Sequence, residues 1–136
     1  LKKVMFISKR DVETVDLKPE AGSKVALISI HCPGDDLPIL KGTWNDVLHL
    51  EFHDLDRVVD EKYTLFSEDD AQRIIDFVAR VARSIVTLVV NCDAGISRSA
   101  GVAKAIAEVY DLEFNHAYPL YNKRVYRILK EAYWKE

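Results

Sequence analysis

The chain has 136 residues, enough for one domain with a real core; 49% of them are apolar and 30% charged, the profile of a soluble globular protein. Its 19 basic and 22 acidic side chains leave a net charge of −3, which argues against nucleic acid as a partner, since that needs a broad basic face. No apolar run approaches the ~18 residues of a membrane span, and Cys32 and Cys92 are too few for a disulfide scaffold, so no membrane and a reduced, cytoplasmic setting are expected.

Leu1 to Ile7 is too short for the apolar stretch of a secretory leader, and Val4-Met5-Phe6-Ile7-Ser8 reads as a first strand. Arg10 to Leu17 has the charge pattern of a short helix, ended by Pro19, with Ala21-Gly22-Ser23 as a turn. Lys24 to Ile30 is nearly all apolar, as in a strand covered on both faces. His31-Cys32-Pro33-Gly34 reads as the loop after it. A second thiol site there is not supported, because the loop is rich in Pro, Gly and Asp and no helix opens after Cys32. A metal pair is not supported either, because no second pair at ligand spacing follows.

Pro38 to Asn45 reads as a loop with a turn at Lys41-Gly42. From Val47 to Phe52 apolar and polar residues alternate with period two, a strand with one wetter face. It ends in His53-Asp54-Leu55-Asp56, where two carboxylates sit together. Arg57 to Phe66 is a charged connection. Ser67 then caps a helix, with Asp70 three residues on and acids in the first turn that suit the helix dipole. Ala71, Ile74, Ile75, Val78 and Ala82 form its apolar face.

The apolar run Ile85 to Val90 leads through Asn91 into Cys92; Arg98 and Ser99 follow after a short loop. Val102, Ala103, Ile106, Val109 and Tyr110 then recur at helical spacing, which predicts strand, tight loop, helix. The amides of such a loop, from Asp93, Ala94, Gly95, Ile96, Ser97 and Arg98, point at one centre where the helix dipole favours negative charge. Gly95 gives the loop backbone angles barred to other residues. Arg98 can hold two phosphate oxygens in a planar fork that lysine cannot copy. Fields of this kind favour the thiolate form of a cysteine, so the arrangement predicts a thiolate nucleophile facing a bound phosphate. A buried core cysteine beside a surface arginine explains Cys92 alone, not the combination.

Asp111 to Pro119 connects to a last amphipathic helix marked by Val125, Ile128, Leu129 and Ala132. Strands near 4–8, 24–30, 47–52 and 85–91 alternating with helices predict an α/β fold with a central, largely parallel sheet of four or five strands. The site then lies at the carboxyl ends of the strands.

Cys92-Asp93-Ala94-Gly95-Ile96-Ser97-Arg98-Ser99 resembles the C-x5-R signature of the cysteine-dependent tyrosine and dual-specificity protein phosphatases, in their compact dual-specificity-like group. Weaker likeness runs from about Val25 to Leu129. The glycine three after the cysteine and the serine after the arginine both match. Asn91 departs, since the family usually has His before the cysteine. The resemblance implies the phosphatase-like α/β fold and hydrolysis of phosphate monoesters through a phosphocysteine intermediate. Cys92 would be the nucleophile, Arg98 would hold the phosphate and Ser99 would hydrogen-bond the sulfur. It also implies a general acid at the end of the strand before the long helix. Asp54 and Asp56 are the candidates, and Asp54 fits the strand-then-Asp pattern more closely. No metal and no cofactor are implied; the substrate is phosphorylated, in the first instance a phosphoprotein. Tyr121, Asn122 and Arg124 are candidates to line the pocket. Asn91 keeps open a catalytically weak, phosphate-binding pseudophosphatase. A sulfurtransferase using an anion loop is disfavoured by the Gly95-Ile96-Ser97-Arg98-Ser99 ending.

Overall fold

The computed structural model describes residues 1–136. In chain order the elements are β1 (Lys3–Ser8), α1 (Lys9–Thr14), β2 (Asp16–Leu17), α2 (Pro19–Gly22), β3 (Val25–His31), β4 (Lys41–Gly42), β5 (Asp46–Glu51), α3 (Glu68–Val81), β6 (Thr87–Cys92), α4 (Arg98–Val109) and α5 (Lys123–Trp134). Four strands form one parallel sheet in the order β1-β6-β3-β5. The other two, β2 and β4, pair in a small parallel ribbon. No helix is long and apolar enough to cross a membrane.

The apolar runs of β3 and β6 take the two central places, where both faces are covered. Alternate side chains face opposite ways. Ala26, Ile28, Ile30, Leu88, Val90 and Cys92 join a 25-residue core with α3, α4 and α5. Leu27 and Val89 instead meet Val12 of α1 in a small second core. The two covers are therefore unequal, a thick helical layer and a thin one. Helix α3 opens as expected on Ser67: its Oγ accepts from the Asp70 amide at 3.2 Å, and Asp70 Oδ2 accepts from the Ser67 amide at 3.0 Å.

Three local expectations are corrected. The helix read over Arg10 to Leu17 stops at Thr14, because Asp16 and Leu17 are taken into the ribbon by Lys41 and Gly42. Pro19 starts a one-turn helix instead of ending one; at the first helical position its missing N–H breaks no bond. Lys41-Gly42 is not a turn but β4, and the turn signal came from Gly42, whose φ is +68°.

All strands of the main sheet run the same way, so their carboxyl ends share one rim. Cys92 ends β6, His31 ends β3, and Ser8 ends β1.

Candidate active site

Between Cys92 and Arg98 the chain makes a tight loop held from outside by several donors. Gly95 has φ +70°, and a Cβ on it would lie 2.4 Å from the Ser8 nitrogen and 2.5 Å from the Ile7 carbonyl carbon, so only glycine fits. The Lys9 amide donates to the Asp93 carbonyl at 3.2 Å. The Tyr118 hydroxyl donates to the Ile96 carbonyl at 2.7 Å. The amides of Gly101 and Asn122 both donate to the Ser97 carbonyl, at 3.0 and 2.9 Å. Three of the loop's carbonyls are thus engaged by donors outside the loop, which leaves its amides available for an anion.

Cys92 is 2% exposed, and its Sγ lies 3.0 Å from the fully buried Ser99 Oγ. Arg98, the first residue of α4, is also buried. Its Nη1 donates to the Phe52 carbonyl at 2.8 Å and reaches Cys32 Sγ at 3.3 Å. Its Nε is buried and has no partner in the protein. Interiors rarely leave such a donor unmet, and a phosphate oxygen would meet it. Cys32, read from sequence as a plain loop residue, therefore lies against Arg98. The signal for this was available only at the level of topology: β3 must neighbour β6, so the residue ending one strand approaches the loop following the other.

Asp54 Oδ1 accepts from Ser97 Oγ at 2.7 Å and from Asn122 Nδ2 at 2.9 Å. Asn122 Nδ2 also donates to the Leu55 carbonyl at 3.1 Å, while its Oδ1 caps α5 by accepting from the Val125 amide at 3.0 Å. One buried asparagine so joins the phosphate loop, the Asp54 loop and the start of α5. Asp56 is exposed and takes part in no side-chain hydrogen bond or ion pair. His53 Nδ1 accepts from the Thr64 amide at 2.9 Å and its ring packs on Tyr63, so it braces the Asp54 loop.

Tyr121 and Asn122 line a cleft of 330 Å³ together with Asp54, Asp56 and Ser97, a cleft that Cys92 and Arg98 do not line. Arg124 does not: its Nε donates to the Phe66 carbonyl at 3.0 Å. Asn91 lies on the opposite sheet face from Cys92, level with Ser29 of β3, and its Oδ1 is buried without a partner. Its side chain does not hold the loop. Lys9, Tyr118 and Gly95 do so instead, and of these only Gly95 was legible in the sequence. Burial, and then the charge of a Cys92 thiolate, push the Tyr118 phenol up.

A charged network braces the connection that carries Tyr118 and Asn122. Glu108 of α4 binds Lys104 at 3.1 Å, Lys130 at 3.0 Å and the Tyr126 hydroxyl at 2.5 Å. The Lys104 ammonium also lies over the rings of Phe114, Tyr121 and Tyr126. Burial pushes Glu108 up, but the bonds from Tyr126, Lys130 and Lys104 outweigh it and bring the carboxyl down to about 2. Burial and then the Glu108 hydrogen bond push Tyr126 up to about 12.

No family model matches the sequence, and no curated protein matches it. Solved structures do. The crystal structure of human DUSP28 is 16% identical, with 95% of this chain and 78% of that one covered and a TM-score of 0.55. The crystal structure of Tk-PTP in the active form is 16% identical, with 100% and 94% covered and a TM-score of 0.57. At this identity the likeness is one of fold: a central parallel sheet flanked by helices.

Proposed function

We propose that the protein hydrolyses phosphate monoesters as a cysteine-dependent phosphatase of the tyrosine or dual-specificity kind, acting on phosphoproteins. One observation carries this reading. The Cys92 sulfur, with the Ser99 hydroxyl 3.0 Å away, opens a loop closed by Arg98, whose guanidinium is anchored at Nη1 and keeps a buried, unpaired Nε. The fold shared with two phosphatase structures supports it. The free thiols fit a reducing compartment such as the cytoplasm.

In this reading the Cys92 thiolate attacks phosphorus and forms the S–P bond as the ester P–O bond breaks. The leaving oxygen takes its proton from Asp54, and the oxygens of the phosphoryl group are held by Arg98 and the loop amides. Asp54 Oδ1 already accepts two hydrogen bonds, so Oδ2 is the atom that carries the proton. A water then attacks the phosphocysteine and gives its proton to the Asp54 carboxylate. Inorganic phosphate leaves, and the sulfur departs as a thiolate stabilised by the Ser99 hydroxyl. A second reading, a phosphate-binding pseudophosphatase, is favoured by Asn91, which replaces the family's histidine.

The test is turnover of para-nitrophenyl phosphate with a chelator present. The proposal expects turnover that the chelator does not affect and that Cys92→Ser abolishes. Parent protein that binds phosphate yet turns over no faster than Cys92→Ser would establish the pseudophosphatase.

A further inference from the structure

A cavity of 620 Å³ borders the candidate site without being lined by a residue of the phosphate loop, and five consecutive residues, Lys2 to Phe6, line one side of it. Side chains along a strand alternate between faces, so a cavity touching five in a row must run along the strand's edge. Strand β1 is indeed the end of the sheet order, with β6 on one side and no strand on the other. The Lys3 amide donates to Val86 at 3.0 Å on the β6 side. By alternation, Val4 and Phe6 turn their amides and carbonyls to the free edge. The opposite wall comes from the α4–α5 connection, with Glu113, Phe114 and Tyr118. Phe6 packs against both rings, at 5.9 and 5.1 Å between centroids, so the groove has apolar seats beside its row of backbone donors and acceptors.

We propose that this groove docks an extended segment of the phosphoprotein substrate as a further strand on β1; the inference rests on the phosphatase reading above. Addition of a strand to a free edge supplies main-chain hydrogen bonds, and alternate side chains fill the apolar seats. An unpaired edge of this kind is otherwise a liability, and only Lys2 and Lys3, at its far end, blunt it. Those lysines fit an acidic residue in the docked segment.

The groove points at the substrate because its near end is built into the candidate site. Tyr118 lines it and also holds the Ile96 carbonyl of the phosphate loop. Ser8, where β1 ends, is in register with Cys92. A strand outside β1 lies two strand spacings, about 10 Å, from β6. A chain leaving the groove level with Phe6 therefore reaches Cys92 in about four extended residues.

The test compares two phosphotyrosine peptides on the parent protein. One is about three residues long. The other is extended on its N-terminal side by a glutamate and a valine–threonine alternation, placed about four to eight residues from the phosphotyrosine. The extension should lower KM at least about tenfold. N-methylation of alternate amides in the extension should remove that gain, and so should reversal of the far-end charge with Lys2→Glu and Lys3→Glu. Neither lysine touches the phosphate loop, so turnover of para-nitrophenyl phosphate should be unchanged in that variant. Equal KM for the two peptides, or a gain that survives N-methylation, overturns edge docking while the phosphatase reading stands. If para-nitrophenyl phosphate is not turned over, the same peptides are compared by fluorescence anisotropy as Kd, and equal Kd overturns the inference by itself. A dimer that the long peptide fails to compete away, with equal KM for the two peptides, would assign the edge to a second copy of the chain and overturn the inference.

Discussion

Asp54 and Asp56 stand two residues apart in one loop, and spacing alone cannot choose between two acids so close. The choice rests on tertiary contacts: Ser97 and Asn122 both donate to Asp54, and nothing of the kind reaches Asp56. An asparagine at 54 still offers a carbonyl oxygen to both donors, so the loop keeps its shape while the carboxyl proposed as proton donor is lost. Asp54→Asn should therefore lower the rate by about 10²–10⁴ with poor leaving groups and much less with a leaving group that needs no proton. Asp56→Asn should leave both rates within about twofold. A leaving-group series measured on both variants decides, and the reverse pattern would make Asp56 the acid. Cys32 illustrates the same limit of sequence reading. Its contact with Arg98 spans 66 residues and exists only because β3 and β6 are neighbours. Gly95, by contrast, could be read at once, since a tight loop before a helix calls for a residue free to take positive φ.

At the scale of elements, what was legible had strong periodicity: the apolar faces of α3 and α5, the alternation in β5, and the apolar runs of β3 and β6. The ribbon of β2 and β4 was not, because two-residue strands have no pattern of their own and exist through pairing. Nor was the network on Glu108 that joins α4 to α5. That network gives a signed pH dependence. Glu108 is lowered in the folded protein from 4.5 to about 2, so its contribution is complete above the unfolded value and is lost as pH falls through the folded one. Urea unfolding of the parent should weaken between about pH 4.5 and 2, and the difference from Glu108→Gln should shrink over the same window. The size at neutral pH is at most about 3 kcal/mol, and less in practice because Glu108 is partly in contact with water. A difference that stays constant across that window would mean that the Lys104, Lys130 and Tyr126 contacts contribute nothing through charge.

For the whole molecule, the candidate site is drawn from nearly the full length of the chain. Lys9 follows β1, Cys32 follows β3, Phe52 and Asp54 follow β5, the loop from Cys92 follows β6, and Tyr118 and Asn122 precede α5. Parallel strands bring these segments to one rim, and no fragment holds them together on its own. The unfolded chain therefore has no anion site, and any oxyanion that fits the loop must stabilise the entire fold. For a ligand that binds only the folded state, a concentration of 100 times Kd adds about 2.7 kcal/mol, or about 10 °C in Tm for a domain of this size. Tungstate should give such a shift in the parent, unchanged by a chelator. It should also give it in Cys92→Ser, because the oxyanion is held by donors and not by the sulfur. Arg98→Lys should lose most of the shift, since lysine cannot bond the Phe52 carbonyl and two oxyanion oxygens at once. A full shift in Arg98→Lys would put the anion somewhere other than the loop, and the thiol chemistry proposed for Cys92 would then have no phosphate to act on.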